Sequence, residues 1–507
     1  MKKIKQKQTS WPMIIGALLI IISSIGWVFR DNLTAPISNN KISKTGKINK
    51  KTEKPKTVIS YNERIAESKK LTEHGYFSEA TIELSEAIKL KPDFVEPYLL
   101  LGEIYLQNNS TDKLENLLKK LQETFPNSDK VGVLQARKWI NEKKFTEIME
   151  LLNGAENIPS DLLFYKAVLL TLQNNHEESK LILKELEKKQ VESKITNNKN
   201  TKDLISPEFA KKVQEFRIIY EEFEELKEGK NAHLFANFAK ILAENNEAVL
   251  AYEFANTSIK DDIEYIDAWI LRGYSQYLTK DYTNAIKDFR HAYELDPIRP
   301  EVQYFLALAL SEEGFLDEAS LFFEKALEYN FEFSEEVRWK LIDILAEQKK
   351  YDQVLKLYKQ LLDYESDPEV FASAVHTAIN VAKKPEMALE FTEILIANNP
   401  EDHFAMNIHG WALIANKKFL EAEEILEEVL KKDKNNPRTY LNLGLLHEEM
   451  KDFDKAAKMY QKSYELGKDD PRFSSLVNLA ADKHNEIISN KGEPKSPSKR
   501  KRPEHSP

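Results

Sequence analysis

The sequence predicts an all-α solenoid of antiparallel helix pairs stacked one on the next, carried on one N-terminal transmembrane helix. Three observations carry the solenoid. Apolar residues recur at helical spacing from about Tyr61 to Ile488. Small and large side chains return together in nearly every adjacent step of 34 residues, a period that marks a repeat array. Glycine is scarce, 14 residues in 507, which leaves little for tight hairpins or phosphate-cradling loops.

The elements follow in chain order. Residues 1–10 are basic, with Lys2, Lys3, Lys5 and Lys7. Trp11 to Phe29 (WPMIIGALLIIISSIGWVF) is a run of 19 residues without a charge. That is close to the ~20 a helix needs to cross a bilayer, and Trp11 and Trp27 sit where indoles favour the interface. The run is longer than a usual signal-peptide core and no A-x-A site follows it, so residues 11–29 are expected to be an uncleaved anchor. The N-terminal lysines place the N-terminus inside and the repeats outside the cytoplasm. Lysines at 41, 44, 47, 50, 51, 54 and 56 oppose this, but long domains translocate largely regardless of charge. Residues 30–58 are polar and lysine-rich and read as a flexible linker.

The repeating unit is clearest at Ala285, Phe289, Ala292 and Pro297. It returns at Ala319, Phe323 and Ala326, and near the start at Ala80, Leu84, Ala87 and Pro92. A second set lies ahead of each copy: Trp269 and Gly273 before Ala285, Tyr98, Leu101, Gly102 and Tyr105 before Leu114, and Tyr440, Leu443 and Gly444 before Ala456 and Tyr460. This pattern resembles the tetratricopeptide-repeat (TPR) consensus W-x2-L-G-x2-Y, A-x3-F, P. In that register repeats start near 61, 95, 129, 160, 232, 266, 300, 335, 369, 403 and 437, so nine to twelve are expected. Small residues at positions 8 and 20 let the two helices approach. Larger ones at 4, 11 and 24 fill the space around them. Proline at 32 ends the second helix because it cannot continue the hydrogen-bond ladder. The repeats near 129, 335 and 369 lack Gly or Ala at position 8, and the one near 335 is a residue long.

The array divides into a block at 59–190, an irregular insertion with a bridging helix at 191–230, and a block at 231–466. A capping helix at 467–488 and a disordered basic tail at 489–507 follow. In the insertion, Phe209, Val213, Phe216, Tyr220, Phe223 and Leu226 keep helical spacing after the start signal Ser206-Pro207-Glu208. The tail carries Lys495, Lys499, Arg500, Lys501 and Arg502, which could touch an anionic surface.

Composition and motifs argue against catalysis. The chain has no cysteine, so disulfides, thiol nucleophiles and cysteine-bound zinc are excluded. The net charge of -10 disfavours nucleic acid as a partner. Ten histidines are scattered, without H-E-x-x-H, and no P-loop, G-x-G-x-x-G or G-x-S-x-G occurs. No catalytic residue, cofactor or metal site is expected, and no stretch outside the repeats is long enough for a catalytic domain.

The resemblance implies that first helices line a concave groove, with positions 2, 5, 9 and about 12 facing it. Mapped here, these give Tyr274, Tyr277, Tyr304, Phe305, Trp339 and Trp411 as a partner-binding ladder for an extended peptide or a helix. Aromatics bury large area at low entropic cost, which suits hot spots. The paired Lys, Asn and Arg with which some family members clamp chaperone tails are not matched: position 9 holds Lys69, Glu103, Tyr274, Leu308 and Leu445. The expected function is a membrane-anchored scaffold for partner proteins in bacterial envelope assembly or secretion, on the inner membrane with extracytoplasmic repeats. The alternatives are a cytosol-facing import receptor and a self-assembling homo-oligomeric coat.

Overall fold

The computed structural model describes residues 60–126, 128–153, 158–196, 207–225, 231–363 and 367–492. Among them there is no strand. Eleven antiparallel helix pairs follow one another: Tyr61–Glu73 with Phe77–Leu90, Glu96–Gln107 with Thr111–Thr124, Asp129–Asn141 with Phe145–Asn153, Ser160–Leu172 with His176–Thr196, Asn231–Glu244 with Ala248–Asp261, Ile266–Leu278 with Tyr282–Leu295, Pro300–Glu312 with Leu316–Glu328, Ser334–Glu347 with Tyr351–Leu362, Pro368–His376 with Pro385–Asn398, His403–Ala415 with Phe419–Lys432, and Pro437–Glu449 with Phe453–Gly467. Two further helices stand outside the pairs, Pro207–Glu225 and Ser474–Gly492. The second helix of the fourth pair runs to Thr196, past the expected start of the insertion, and the last helix runs to Gly492 rather than Ile488.

No helix among the described residues is long and apolar enough to cross a membrane. The expected anchor at 11–29, the linker at 30–58 and the basic cluster 495–502 lie outside the described residues. By their contacts the described residues form two compact units, 60–337 and 338–492. The pairs on either side of the insertion belong to the same unit.

The first helix opens with a capping box: Ser60 N–H donates to Glu63 Oε2 at 2.7 Å, and Glu63 N–H returns the bond to the Ser60 hydroxyl. Within each pair the close approach has a steric cause. A Cβ added to Gly273 would lie 2.7 Å from Phe289 Cε1, and one added to Gly410 would lie 2.8 Å from Leu426 Cδ2, so no larger residue fits without displacement. Gly444 faces Tyr460 in the same way, whereas Gly102 faces Leu134 of the following pair. Position 20 is closed to solvent at Ala80, Ala251, Ala285, Ala319, Ala388, Ala422 and Ala456. In the ninth pair, where His376 replaces the small residue, the first helix continues as a π-helical turn, Thr377–Val381.

One residue of each intra-pair turn adopts a left-handed backbone. The set is Gly75, Asn109, Lys143, Asn174, Asn246, Lys280, Gly314, Lys349, Lys383, Lys417 and Lys451. The hydrogen bonds are those of a Schellman turn: Lys280 N–H donates to Tyr277 O and Asp281 N–H to Gln276 O, both at 2.9 Å. That geometry reverses the chain so that the second helix falls back on the first.

In the N-terminal unit the helix Pro207–Glu225 fills the place between the fourth and fifth pairs. Phe216 lies 5.0 Å from the Phe164 ring and 4.9 Å from Phe238, and Tyr220 shares a 2.7 Å hydrogen bond with Thr171. In the C-terminal unit the helix Ser474–Gly492 covers the last pair through Ala480 and Ile487, and Lys483 reaches Glu448 at 3.0 Å. Solenoid ends need such a cover because the last pair would otherwise expose its stacking face.

Candidate protein-interaction surface

The ladder expected from the sequence is split by the structure. Tyr274, Tyr304 and Phe305 are core residues, 1%, 0% and 2% exposed, and this corrects their assignment to a binding groove. Their rings pack on other rings: Tyr274 on Phe305 at 5.4 Å, Tyr304 on Phe331 at 4.6 Å, Phe305 on Phe289 at 5.8 Å. The physical reason is local. Residues Val302 to Leu310 are all buried, so the helix Pro300–Glu312 has almost no wet face at its centre, and no register would present an aromatic there. Burial drives the Tyr274 and Tyr304 phenols up, and both hydroxyls lack a hydrogen-bond partner.

Tyr277, Trp339 and Trp411 are half-buried and keep a solvent-facing edge. Burial first, then the Glu312 carboxylate it shares with Tyr282, pushes the Tyr277 phenol up. Trp339 meets Tyr358 edge-on at 6.0 Å. Trp411 lies 6.2 Å from the His376 ring, whose pKa burial lowers.

In the C-terminal unit Trp411 shares its helix and the next with polar residues that the sequence did not single out. Asn407 and Trp411 are one turn apart on the first helix of the tenth pair, and Arg438 and Asn442 repeat that spacing on the eleventh. The Asn442 side-chain amide donates to the Asn407 carbonyl at 2.9 Å and so ties the two helices. Asn407 Oδ1 and Thr439 Oγ1 are buried without a partner. The Arg438 guanidinium lies between the rings of Phe404 and Phe473, at 4.8 and 5.5 Å, and burial lowers its pKa against the raising influence of Glu369. The guanidinium supplies N–H donors beside two rings, and the half-buried indole of Trp411 offers an apolar surface. The sequence signal for Arg438 was its register, one repeat after Phe404.

Among the described residues no group of three His, Asp or Glu side chains could hold a metal ion. The arrangement offers ring surface, amide and guanidinium groups on adjacent helices.

Paired helices in a 34-residue register, closed by small residues and capped at the end, define a helical-repeat protein whose work is protein contact. Tetratricopeptide-repeat family models match residues 266–299, 300–333 and 413–480. The chain belongs to the tetratricopeptide-repeat superfamily. It is similar to the mitochondrial import receptor subunit TOM70 of Saccharomyces cerevisiae, 25% identical over 238 residues, which is 47% of this chain and 34% of that protein. The chain thus matches about a third of the length of that relative. Among solved structures it is similar to yeast Tom70 (18% identity, 85% of this chain and 96% of that one, TM-score 0.27). It is also similar to YrrB, a TPR protein described as having an unusual peptide-binding site (17% identity, 45% and 97% covered, TM-score 0.23).

Proposed function

We propose that this TPR scaffold is anchored in a membrane by Trp11–Phe29, holds its repeats outside the cytoplasm of a bacterium, and assembles partner proteins during envelope assembly or secretion. The charge-free 19-residue run with tryptophans at its ends supports the anchor, and the lysines before it support the orientation. The face of the C-terminal unit that carries Asn407, Trp411, Arg438 and Asn442 supports partner capture, since it combines an aromatic platform, an amide and a guanidinium on adjacent helices. Several such faces on one tethered chain would raise the effective concentration of each partner for the next.

A second reading, a cytosol-facing receptor for protein import, is favoured by the 25% identity to the yeast import receptor subunit. One experiment separates the two. Single cysteines at Asn198 or Ser489, in a chain that has none, are probed with a membrane-impermeant thiol reagent on intact cells, followed by crosslinking and mass spectrometry. Labelling in intact cells together with captured envelope proteins supports the scaffold reading. Labelling only after lysis overturns it and supports the receptor. Trp411→Ala should reduce the crosslinked yield while leaving the melting temperature within a few degrees. Unchanged capture would remove that face from the proposal.

A further inference from the structure

The N-terminal unit holds a group of buried and half-buried charges that the surface above does not use. Glu103, Arg137 and Tyr165 come from the first helices of the second, third and fourth pairs, and Lys212 comes from the helix Pro207–Glu225. Glu247, 7% exposed, enters this group from the fifth pair. The Tyr165 hydroxyl donates to Glu247 Oε1 at 2.7 Å across 82 residues of sequence, and Lys212 Nζ stands 3.5 Å from the same oxygen. Arg137 hydrogen-bonds Glu103. Burial works against the Arg137 charge, and the Glu247 carboxylate is the largest of the influences that favour it.

Two features make Glu247 a guest rather than a member of this frame. It stands at the N-cap of Ala248–Asp261, yet its side chain makes no capping bond to that helix. Its carboxylate is spent on side chains that belong to other helices. The neighbouring ties across the same seam are also polar: Lys143 Nζ lies 2.8 Å from Glu253 Oε1 and 4.4 Å from the Tyr252 ring centroid. Glu103 takes the hydrogen bond of Arg137, whereas the Glu247 carboxylate is held by Tyr165 and Lys212.

We propose that Tyr165 and Lys212 form a carboxylate-binding pocket that the chain fills with its own Glu247, and that an acidic side chain of a partner protein takes the same pocket when this contact opens. The donor set fits that ligand class: a phenol hydroxyl and an ammonium meet at one carboxylate oxygen. At the start of Ala248–Asp261 a competing carboxylate replaces hydrogen-bonded and ionic ties, while the fifth pair stays stacked on Pro207–Glu225 through Phe238 and Phe216. The proposal rests on the scaffold reading for a protein as the natural ligand, whereas the pocket itself is tested with a defined probe.

Fluorescein-labelled hexaglutamate is titrated into the full chain, and anisotropy is read at fixed ionic strength. Glu247→Ala and Glu247→Gln should each bind it at least tenfold more tightly than the wild type, and adding Tyr165→Phe to either should cancel most of the gain. A folded variant with no gain, or a gain that survives Tyr165→Phe, overturns the pocket. Should the alanine variant lose helical circular dichroism, the isosteric glutamine variant decides. On the unmodified protein, saturating hexaglutamate should speed amide exchange severalfold in 248–261 while leaving 403–449 unchanged. No change in 248–261 overturns the opening of this contact even if both variants fail to fold. The outcome of the topology experiment has no bearing on these results, so the two ideas fail separately.

Discussion

The two units use the same repeat in different ways. In the C-terminal unit the side-chain ties join neighbours about one repeat apart: Asn442 to Asn407, Asn416 to the Pro385 carbonyl, Lys359 to Glu390 and Lys432 to Glu401. The N-terminal unit has such ties too, but it adds links over far greater sequence separations, from Tyr165 to Glu247 and from Lys143 to Glu253. The first behaves as a one-dimensional stack, in which damage stays with the adjacent pair. The second is cross-braced, and its extra links begin where the 34-residue register breaks between the fourth and fifth pairs. A repeat sequence therefore does not by itself guarantee nearest-neighbour energetics; one inserted helix is enough to create longer-range coupling.

The largest expected effect breaks a buried ion pair in the N-terminal unit. Arg272 grips Asp288 through two bonds of 2.7 Å and also donates to Asn256 of the preceding pair at 2.8 Å. Asp288→Ala leaves that guanidinium, only 16% exposed, without its carboxylate and should cost about 3 kcal/mol. Urea denaturation followed at Trp269 would read the loss. In the C-terminal unit Glu401→Ala removes an exposed partner of Lys432 and should leave the transition followed at Trp411 unmoved. Equal shifts would show that burial does not set the two ion pairs apart.

Next come the glycines of the helix contacts. Gly273→Ala pushes a Cβ against Phe289, whose ring is held by its stack on Phe305, so the neighbour has little room to yield. Gly410→Ala meets the end of a leucine side chain that can rotate. We expect a cost of about 2 kcal/mol for the first and about 1 kcal/mol for the second, by the same denaturation measurement. The reverse order would show that ring stacking does not stiffen the N-terminal contact.

These contacts were legible in the sequence because positions 8, 20 and 24 mostly meet within one pair, so a local pattern carries them. Two other features were not. The burial of Tyr304 and Phe305 depends on neighbours that surround Pro300–Glu312, and periodicity in one helix does not report them. The Glu247 cluster joins residues on several helices, and their separations follow no repeat. The left-handed turn residue is a third kind of miss. Lysine fills it six times, so turn chemistry gave no cue, although Lys383, Lys417 and Lys451 stand 34 apart in plain register.

That turn gives a smaller effect, which isolates backbone from packing. Gly314 has φ of 83°, and a Cβ added there would meet nothing within 4 Å, so Gly314→Ala should cost about 1 kcal/mol through its backbone alone. Lys417→Gly in the stacked unit relieves a similar conformation at φ of 60° but loosens the unfolded chain, and should change stability by less than about 0.5 kcal/mol. A large gain from Lys417→Gly would show that the C-terminal turns carry strain that the Schellman hydrogen bonds do not offset.

The smallest effect concerns pH, and the units should respond to different extents. In the C-terminal unit burial lowers the pKa of His376 and His409; Lys418 adds to this at His409, and Glu393 and Glu421 oppose it. The folded unit therefore favours the neutral rings. Above the unfolded histidine value of about 6.5 both states are neutral and this stability is fully present. As pH falls below it, the unfolded chain takes up protons that the folded one refuses, and stability declines. In the N-terminal unit His176 acts the same way, but burial raises the Glu103 and Glu244 carboxyls, with Arg137 and Lys240 opposing. A raised carboxyl binds its proton more readily in the folded state, so acidification stabilises there. The carboxyls whose pKa is lowered in the C-terminal unit, Glu401, Asp452 and Asp470, titrate below this window. Between about pH 7.5 and 5.5, a window that spans the unfolded histidine value, the urea midpoint followed at Trp339 and Trp411 should fall through His376 and His409, and that followed at Trp139 and Trp269 should fall less, through His176. His376→Gln should flatten the C-terminal decline. Equal declines in both units, or a decline that survives His376→Gln, would mean that the buried histidines of the C-terminal unit do not carry the effect.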